Sequence, residues 1–269
     1  MKNNNNLVVY KNEMNTVPLR NFNSKEMDLF FSICSRMRDK GIERVSFTFN
    51  QLKDLSDYKM TATSHFVKDL ESTFGKLLKL DYKIKTENGT IGFVLFPEYE
   101  IKENEEVVEV QTSKRLEYII NKIIDKFTKF ELEEFTELRS SYSKTAYRLL
   151  KQFRKTGYLI LQIDEFRRLF DVPESYQMSD IDKRVLDRIE DELPKHFDNL
   201  KIKKIRGKGK RKRYIEHIEF KFDPETDLKN HSKTFRDEDG NYYDRRLEDF
   251  TKEEIEKTFP ETKPASDMK

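Results

Sequence analysis

Cysteine is almost absent: Cys34 stands alone in 269 residues, which excludes an intramolecular disulfide and any zinc module built on several thiolates. It falls within an apolar helical pattern, where a buried small hydrophobe is the expected role. Glycine and proline are scarce, at 8 and 7, beside 36% apolar and 12% aromatic residues, so folded domains are expected over a disordered chain. No apolar run approaches the ~18 residues of a membrane span. The start, MKNNNNLVVY, lacks the hydrophobic segment of a signal peptide, so a soluble, cytoplasmic protein with no membrane partner is expected. The four histidines, His65, His196, His217 and His231, show no chelating spacing, and no Gly-rich loop is placed to cradle phosphate. Acid pairs such as Glu133-Glu134 and Asp191-Glu192 are adjacent and would point apart on a helix, which argues against a two-metal nuclease. No enzyme site, metal or cofactor is therefore expected.

Net charge is lacking too. Lys plus Arg number 52 and Asp plus Glu 50, leaving +2, so attraction to a polyanion must come from how charge is distributed. The distribution is uneven. In KIKKIRGKGKRKRY, Lys201 to Tyr214, nine of fourteen residues are basic and none is acidic. Gly207 and Gly209 stand between two apolar-alternating runs, 200–205 and 214–220, the pattern of a β-hairpin with a basic tip. Such a tip is a local counterion-release site for a phosphate backbone. A helix upstream makes the combination a winged helix; the plain alternative is a solvated hairpin.

At this length two domains are expected. In chain order, Leu7 to Tyr10 reads as a short strand or extended arm. Asn23 or Ser24 caps a helix with Met27, Phe30, Phe31, Ile33, Cys34 and Met37 inward, ending at Gly41. A strand follows over 45–49, then Asn50 as cap and a short helix over 51–55. A longer helix from Thr61 or Thr63 has Phe66, Leu70, Phe74, Leu77 and Leu78 inward. A hairpin across Asn88-Gly89, with strands at 82–85 and 91–96, supplies the first wing. The acidic stretch Glu98 to Glu109 reads as the start of an interdomain connection, and Lys114 to Phe130 as a packed helix followed by a strand or turn piece around Phe130 to Phe135.

The second half repeats this order: a helix over 143–155, a strand over 159–163, Asp164 capping a helix over 165–170, a turn around Pro173, a helix from Ser179 and the basic hairpin. Phe47, Phe49 and Leu52 match Leu161, Ile163 and Phe166 at an offset of 114, and Phe66, Leu70 and Phe74 match Val185, Ile189 and Leu193 at 119. The difference reads as a five-residue insertion in the turn. The expected fold class is α+β, tandem winged-helix domains related by internal duplication. The expected domains are 7–110, a first winged helix for dimerisation and secondary DNA contact; 111–222, the main DNA reader; and 223–269, a charged, mobile tail in which 247–259 forms a weak helix.

A winged helix lays its third helix in the major groove while the wing follows the backbone. The candidate contacts in the second domain are Lys183, Arg184 and Arg188 on the helix and Arg206, Lys208, Lys210, Arg211, Lys212 and Arg213 on the wing. Arg184 is the candidate base reader, because a guanidinium fits the two acceptors of guanine; the competing reading is that it pairs with Asp180, four residues earlier on the same helix. In the first domain the candidates are Thr61, Thr63, Ser64 and Lys68 on the helix and Lys83 and Lys85 on the hairpin. His65 reads as a surface or capping histidine. The competing functional classes are a winged-helix transcriptional repressor without initiator activity and a protein-interaction module that binds no DNA.

The run Tyr142 to Phe153, then Phe166-Arg167-Arg168-Leu169-Phe170, Tyr176 and Asp182-Lys183-Arg184-Val185-Leu186 resembles the second winged-helix domain of the iteron-binding plasmid replication initiators, the RepB-like family. The strand Leu7 to Tyr10 and the helix through Met27 to Met37 resemble that family's first domain. The resemblance covers about residues 7 to 222 and not the tail. It implies a protein without catalytic residues that binds direct repeats in a plasmid origin as a monomer. It also implies a monomer-dimer equilibrium with the first domain as dimer contact, and recruitment of a host helicase or other initiation proteins. It places the major-groove helices at Ser179 to Leu193 and Thr61 to Leu78.

Overall fold

The computed structural model describes residues 7–19, 21–37, 44–60, 62–80, 82–86, 88–114, 119–120, 127–208, 214–225, 233–236 and 242–245. The first strand, β1 (Leu7–Lys11), is a buried strand and not a free arm. A 3₁₀ turn, Asn12–Thr16, leads from it towards α1 (Ser24–Met37). The Asn23 side chain accepts from the Glu26 amide at 3.0 Å while the Glu26 carboxylate accepts from the Asn23 amide at 2.7 Å, so Asn23 is the cap and two orphan donors are satisfied reciprocally. Every expected inward position of α1 is buried, and Glu26 and Asp28 are buried with them. A helix enclosed on nearly all sides is the central rod of its domain.

From this rod the chain forms β2 (Arg44–Thr48), α2 (Phe49–Leu55), α3 (Thr63–Leu77), β3 (Tyr82–Thr86), β4 (Gly89–Phe93), β5 (Glu98–Lys102) and β6 (Val107–Gln111). The cap of α2 is Thr48, not Asn50: its hydroxyl accepts from the Gln51 amide, and the Gln51 side chain accepts from the Thr48 amide. The larger departure concerns the wing. Among the described residues β3 and β4 pair only with each other, whereas β2 is joined by β6 and β6 by β5. The acidic stretch is therefore the wing hairpin of the first winged helix, and β3–β4 is an additional ladder. Glutamates mask its alternation, but Tyr99 and Ile101 pair with the buried Val110 and Val108, so its apolar face packs as a wing's must.

Beyond this come β7 (Phe127–Glu131), α4 (Leu132–Thr136) and α5 (Ser141–Gln152). Phe127–Glu131 is thus a strand where the end of a helix was expected, and its partner is β1, with Val8 opposite Phe130. This pairing crosses the expected division at 110/111. Along α5, capped by Ser140, Lys144 and Arg148 are fully buried. Lys144 Nζ lies 2.6 Å from Asp28 Oδ1. Arg148 donates to the carbonyls of Met14 and Val17 at 3.2 Å each. The same helix faces the second unit, with the Ser143 hydroxyl donating to the Arg188 carbonyl at 3.1 Å and Tyr147 packed edge-on against Phe197. The two units share α5 as a common spine.

The second unit holds β8 (Tyr158–Gln162), α6 (Ile163–Leu169), α7 (Met178–Ile181), a π-helical turn (Asp182–Leu186), α8 (Asp187–Glu192), β9 (Lys201–Arg206) and β10 (Ile215–Lys221). Helix α6 starts at Ile163 after Gln162, with no side-chain cap bond, so Asp164 sits inside its first turn and is not the cap. Strand order β8-β10-β9 repeats β2-β6-β5. The fold is α+β, two winged helices of duplicated architecture. Helices α2 and α6 start at residues 49 and 163, and α3 and α7 at 63 and 178, offsets of 114 and 115. On that register Phe66, Leu70 and Phe74 match Ile181, Val185 and Ile189, and the insertion shrinks to one residue. A four-residue repeat of buried positions looks the same after a shift of one turn, which is why the sequence offset of 119 misled. After Asp223 a short hairpin, β11 (Lys233–Arg236) with β12 (Tyr242–Arg245), follows; residues 247–259 lie outside the described residues.

Candidate nucleic-acid interface

The second unit's helix α7–π–α8 buries Ile181, Val185, Ile189 and Leu193. In a regular α-helix residues four apart drift by about 40°, and three such steps would carry the stripe about a third of the way round. The wide π turn at Asp182–Leu186 takes up part of that drift and keeps all four against the core. It thereby also keeps Lys183, Arg184, Asp187 and Arg188 on the exposed side. Neither Lys183 nor the Arg188 guanidinium has an ion-pair partner among the described residues, which suits both to phosphate.

Arg184 is held differently. Its guanidinium carbon lies 5.1 Å from the centroid of the Tyr176 ring, Nη1 donates to the Tyr176 hydroxyl at 3.3 Å, and Nε is 3.9 Å from Asp180. The hydrogen bond and the charge interaction with Tyr176, and after them the Asp180 charge, raise its pKa further, so it stays a cation. Tyr176 is itself fixed, since Arg167 on α6 donates to the carbonyls of Tyr176 at 2.8 Å and Pro173 at 3.5 Å. The sequence singled out Arg184 but not its seat, because cross-turn aromatic contact has no periodic signature.

The wing follows. Lys201, Lys203, Lys204, Arg206 and Lys208 are exposed, and Gly207 donates to the Tyr214 carbonyl at 3.1 Å where the hairpin closes. Lys204 reaches Asp182 at 2.6 Å, which ties wing to helix and removes one acidic charge from the face. Lys210, Arg211, Lys212 and Arg213 lie outside the described residues.

The first unit presents a different surface. Thr61 lies outside the described residues; Ser64 and Lys68 are exposed on α3. The Thr63 hydroxyl faces Glu106 Oε1 at 3.4 Å, while the Glu106 carbonyl accepts from Phe49 at 2.8 Å, so the acidic wing tip covers the start of both helices. Arg44 binds Glu98, Glu100 and Glu109 together, and Lys102 binds Glu109 at 2.7 Å. Lys83 and Lys85 belong to β3–β4, the ladder outside the wing sheet. At the position matching Arg184 stands Asp69, 2.6 Å from the Tyr58 hydroxyl. Among the described residues, the second unit's candidates lie on the exposed side of one helix and on the wing tied to it by Lys204–Asp182; those of the first are divided between α3 and the β3–β4 ladder, with Glu106 facing Thr63.

No group of three His, Cys, Asp or Glu that could hold a metal occurs among the described residues, and none of their helices is long and apolar enough to cross a membrane. Two family models match, "Initiator Replication protein, WH1" over residues 7–151 and "Initiator Rep protein, WH2" over 162–222. Over 191 residues the chain is 34% identical to a probable replication protein, rep, of Bifidobacterium longum (strain NCC 2705), a match covering 70% of this chain and 64% of that protein. The fold resembles that of the Pi initiator protein, crystallised in complex with iteron DNA, with a TM-score of 0.63 at 16% identity, covering 82% of this chain and 98% of that one.

Proposed function

The chain belongs to the initiator replication protein family, and on that premise we propose that it is a sequence-specific double-stranded DNA-binding initiator of plasmid replication. It binds direct repeats in the origin through its second winged helix. The observation carrying this reading is the exposed Lys183, Arg184 and Arg188 row beside a basic wing tied to the same helix by Lys204–Asp182. Cations on a helix of major-groove width, with more on an adjoining hairpin, suit base edges and flanking phosphates together. The acidic wing and Asp69 of the first unit fit it less well for phosphate. It therefore serves secondary DNA contact through Thr63, Ser64 and Lys68 and the dimer contact of a monomer-dimer equilibrium, and host helicase or other initiation proteins are recruited to the bound complex.

Footprinting the full chain on duplexes carrying direct repeats, against scrambled duplexes, tests this. Protection of about two helical turns per monomer is expected from paired readers, with affinity falling steeply as salt rises. Equal, salt-insensitive binding to both duplexes would instead favour a protein-interaction module.

A further inference from the structure

The second unit holds its central cation in a way the first does not. Of the three cations exposed on the helix, only Arg184, among the described residues, lies on an aromatic ring and hydrogen-bonds its hydroxyl. The ring belongs to the turn before α7, outside the recognition helix, and that turn is fastened by Arg167 through two backbone carbonyls. Tyr142 on the shared helix α5 adjoins Tyr176. The chain Arg167, Tyr176, Arg184 thus runs from α6 across the turn to the exposed face, where the Arg184 side chain remains 61% exposed. A long side chain at such exposure ordinarily samples many rotamers, and binding then includes the cost of ordering it. A guanidinium already stacked and hydrogen-bonded loses less freedom when it meets a base edge.

We propose that Tyr176 is a positioning residue for specificity: it presents the Arg184 guanidinium as a preformed fork to one base pair, without touching DNA itself. This rests on the DNA-reading function proposed above. In the first unit a tyrosine also holds the residue at the matching position, the Tyr58 hydroxyl donating to Asp69 at 2.6 Å, with Lys25 4.0 Å from the same carboxylate. The tyrosine therefore sets where the group at this position of the helix points, while the residue it holds decides what is attracted.

The experiment enriches a duplex library with a randomised core on the full chain, then repeats the enrichment with Arg184→Ala, Tyr176→Phe, Tyr176→Ala and the double variant Tyr176→Ala/Arg184→Ala. Arg184→Ala is expected to erase the preference at one base-pair position and to weaken binding to the enriched duplex by about 5- to 150-fold. Tyr176→Ala should flatten the preference at that same position only, with a loss of about 2- to 5-fold. Tyr176→Phe, which keeps the ring and loses the hydroxyl, should fall between it and the parent; this milder change also guards against misfolding. In the Arg184→Ala background Tyr176→Ala should cost nothing more. Equal losses in both backgrounds, or an unchanged preference at the Arg184-dependent position, would overturn the positioning role while leaving base reading by Arg184 intact. If Arg184→Ala itself alters no base preference, base reading by Arg184 fails and the positioning role with it.

Discussion

Lys144 on α5 and Asp28 on α1 form an ion pair of 2.6 Å in which the lysine side chain is fully buried and the aspartate side chain 9% exposed. The lysine also donates to the Phe135 carbonyl at 2.6 Å and lies over the Phe135 ring. Two charges taken this far from water depend on each other. At pH 8, Lys144→Met should lower stability by about 3–5 kcal/mol, the usual result of leaving one buried partner behind, and by less at pH 5, where Asp28 takes up a proton. Adding Asp28→Asn should recover part of it, because the stranded carboxylate is gone. A double-mutant cycle on urea midpoints measures both.

The same pair predicts a pH dependence. Burial raises the Asp28 pKa from 3.8 to about 7, with Lys144 opposing the shift, and burial lowers that of Lys144. A carboxyl whose folded pKa lies above its unfolded value contributes stability fully below about 4 and loses it as pH rises through about 7. Relative to Asp28→Asn, the parent chain should therefore lose on the order of 2 kcal/mol between pH 5 and pH 8. Denaturation of both proteins at the two pH values checks the sign.

Gly157 ends the turn after α5 with φ +63°, and a Cβ there would stand 2.2 Å from the Phe222 carbonyl oxygen. That carbonyl is backbone, in the segment whose amide donates to Gly157 at 3.0 Å, so nothing flexible can yield. Gly157→Ala should destabilise the second unit by more than the ~1 kcal/mol of an ordinary conformational penalty, and a thermal melt should show it. An unchanged Tm would mean the turn can open without cost.

Neutralising Lys208, Lys210, Arg211 and Lys212 together should weaken binding to repeat and scrambled duplexes by similar factors. The slope of log affinity against log salt should fall by at most about four, roughly one for each phosphate contact removed. Titrations at several salt concentrations provide the slope; if it does not move, the wing tip points away from DNA.

Much of this architecture is legible in the chain itself. Helix positions follow from apolar periodicity and, at α1, from the cap Asn23, which depends on residues only a few places apart, whereas Asn50 and Asp164 are not the caps the fold uses. The basic hairpin declares itself because nine cations without an acid cannot be a buried strand. Arg184 could be singled out because it lies beside the inward Val185 on a readable helix. The acidic wing could not, since charge obscured its apolar face and a glycine turn nearby offered a more familiar hairpin.

What the sequence alone determined were most of the local elements, the duplicated order of the helices and the concentration of positive charge at one tip, all set by neighbours along the chain. Tertiary structure decided which hairpin joins β2, that β1 pairs with β7, and that Lys144 and Arg148 turn inward from a helix that would otherwise read as half polar. It also decided that Arg184 rests on Tyr176. Alternation marks a strand but not its partner, because every strand offers the same backbone donors and acceptors. Partners are chosen by the burial of side chains far apart in sequence, Phe47 against Val108 or Val8 against Phe130, and only the folded chain brings those together.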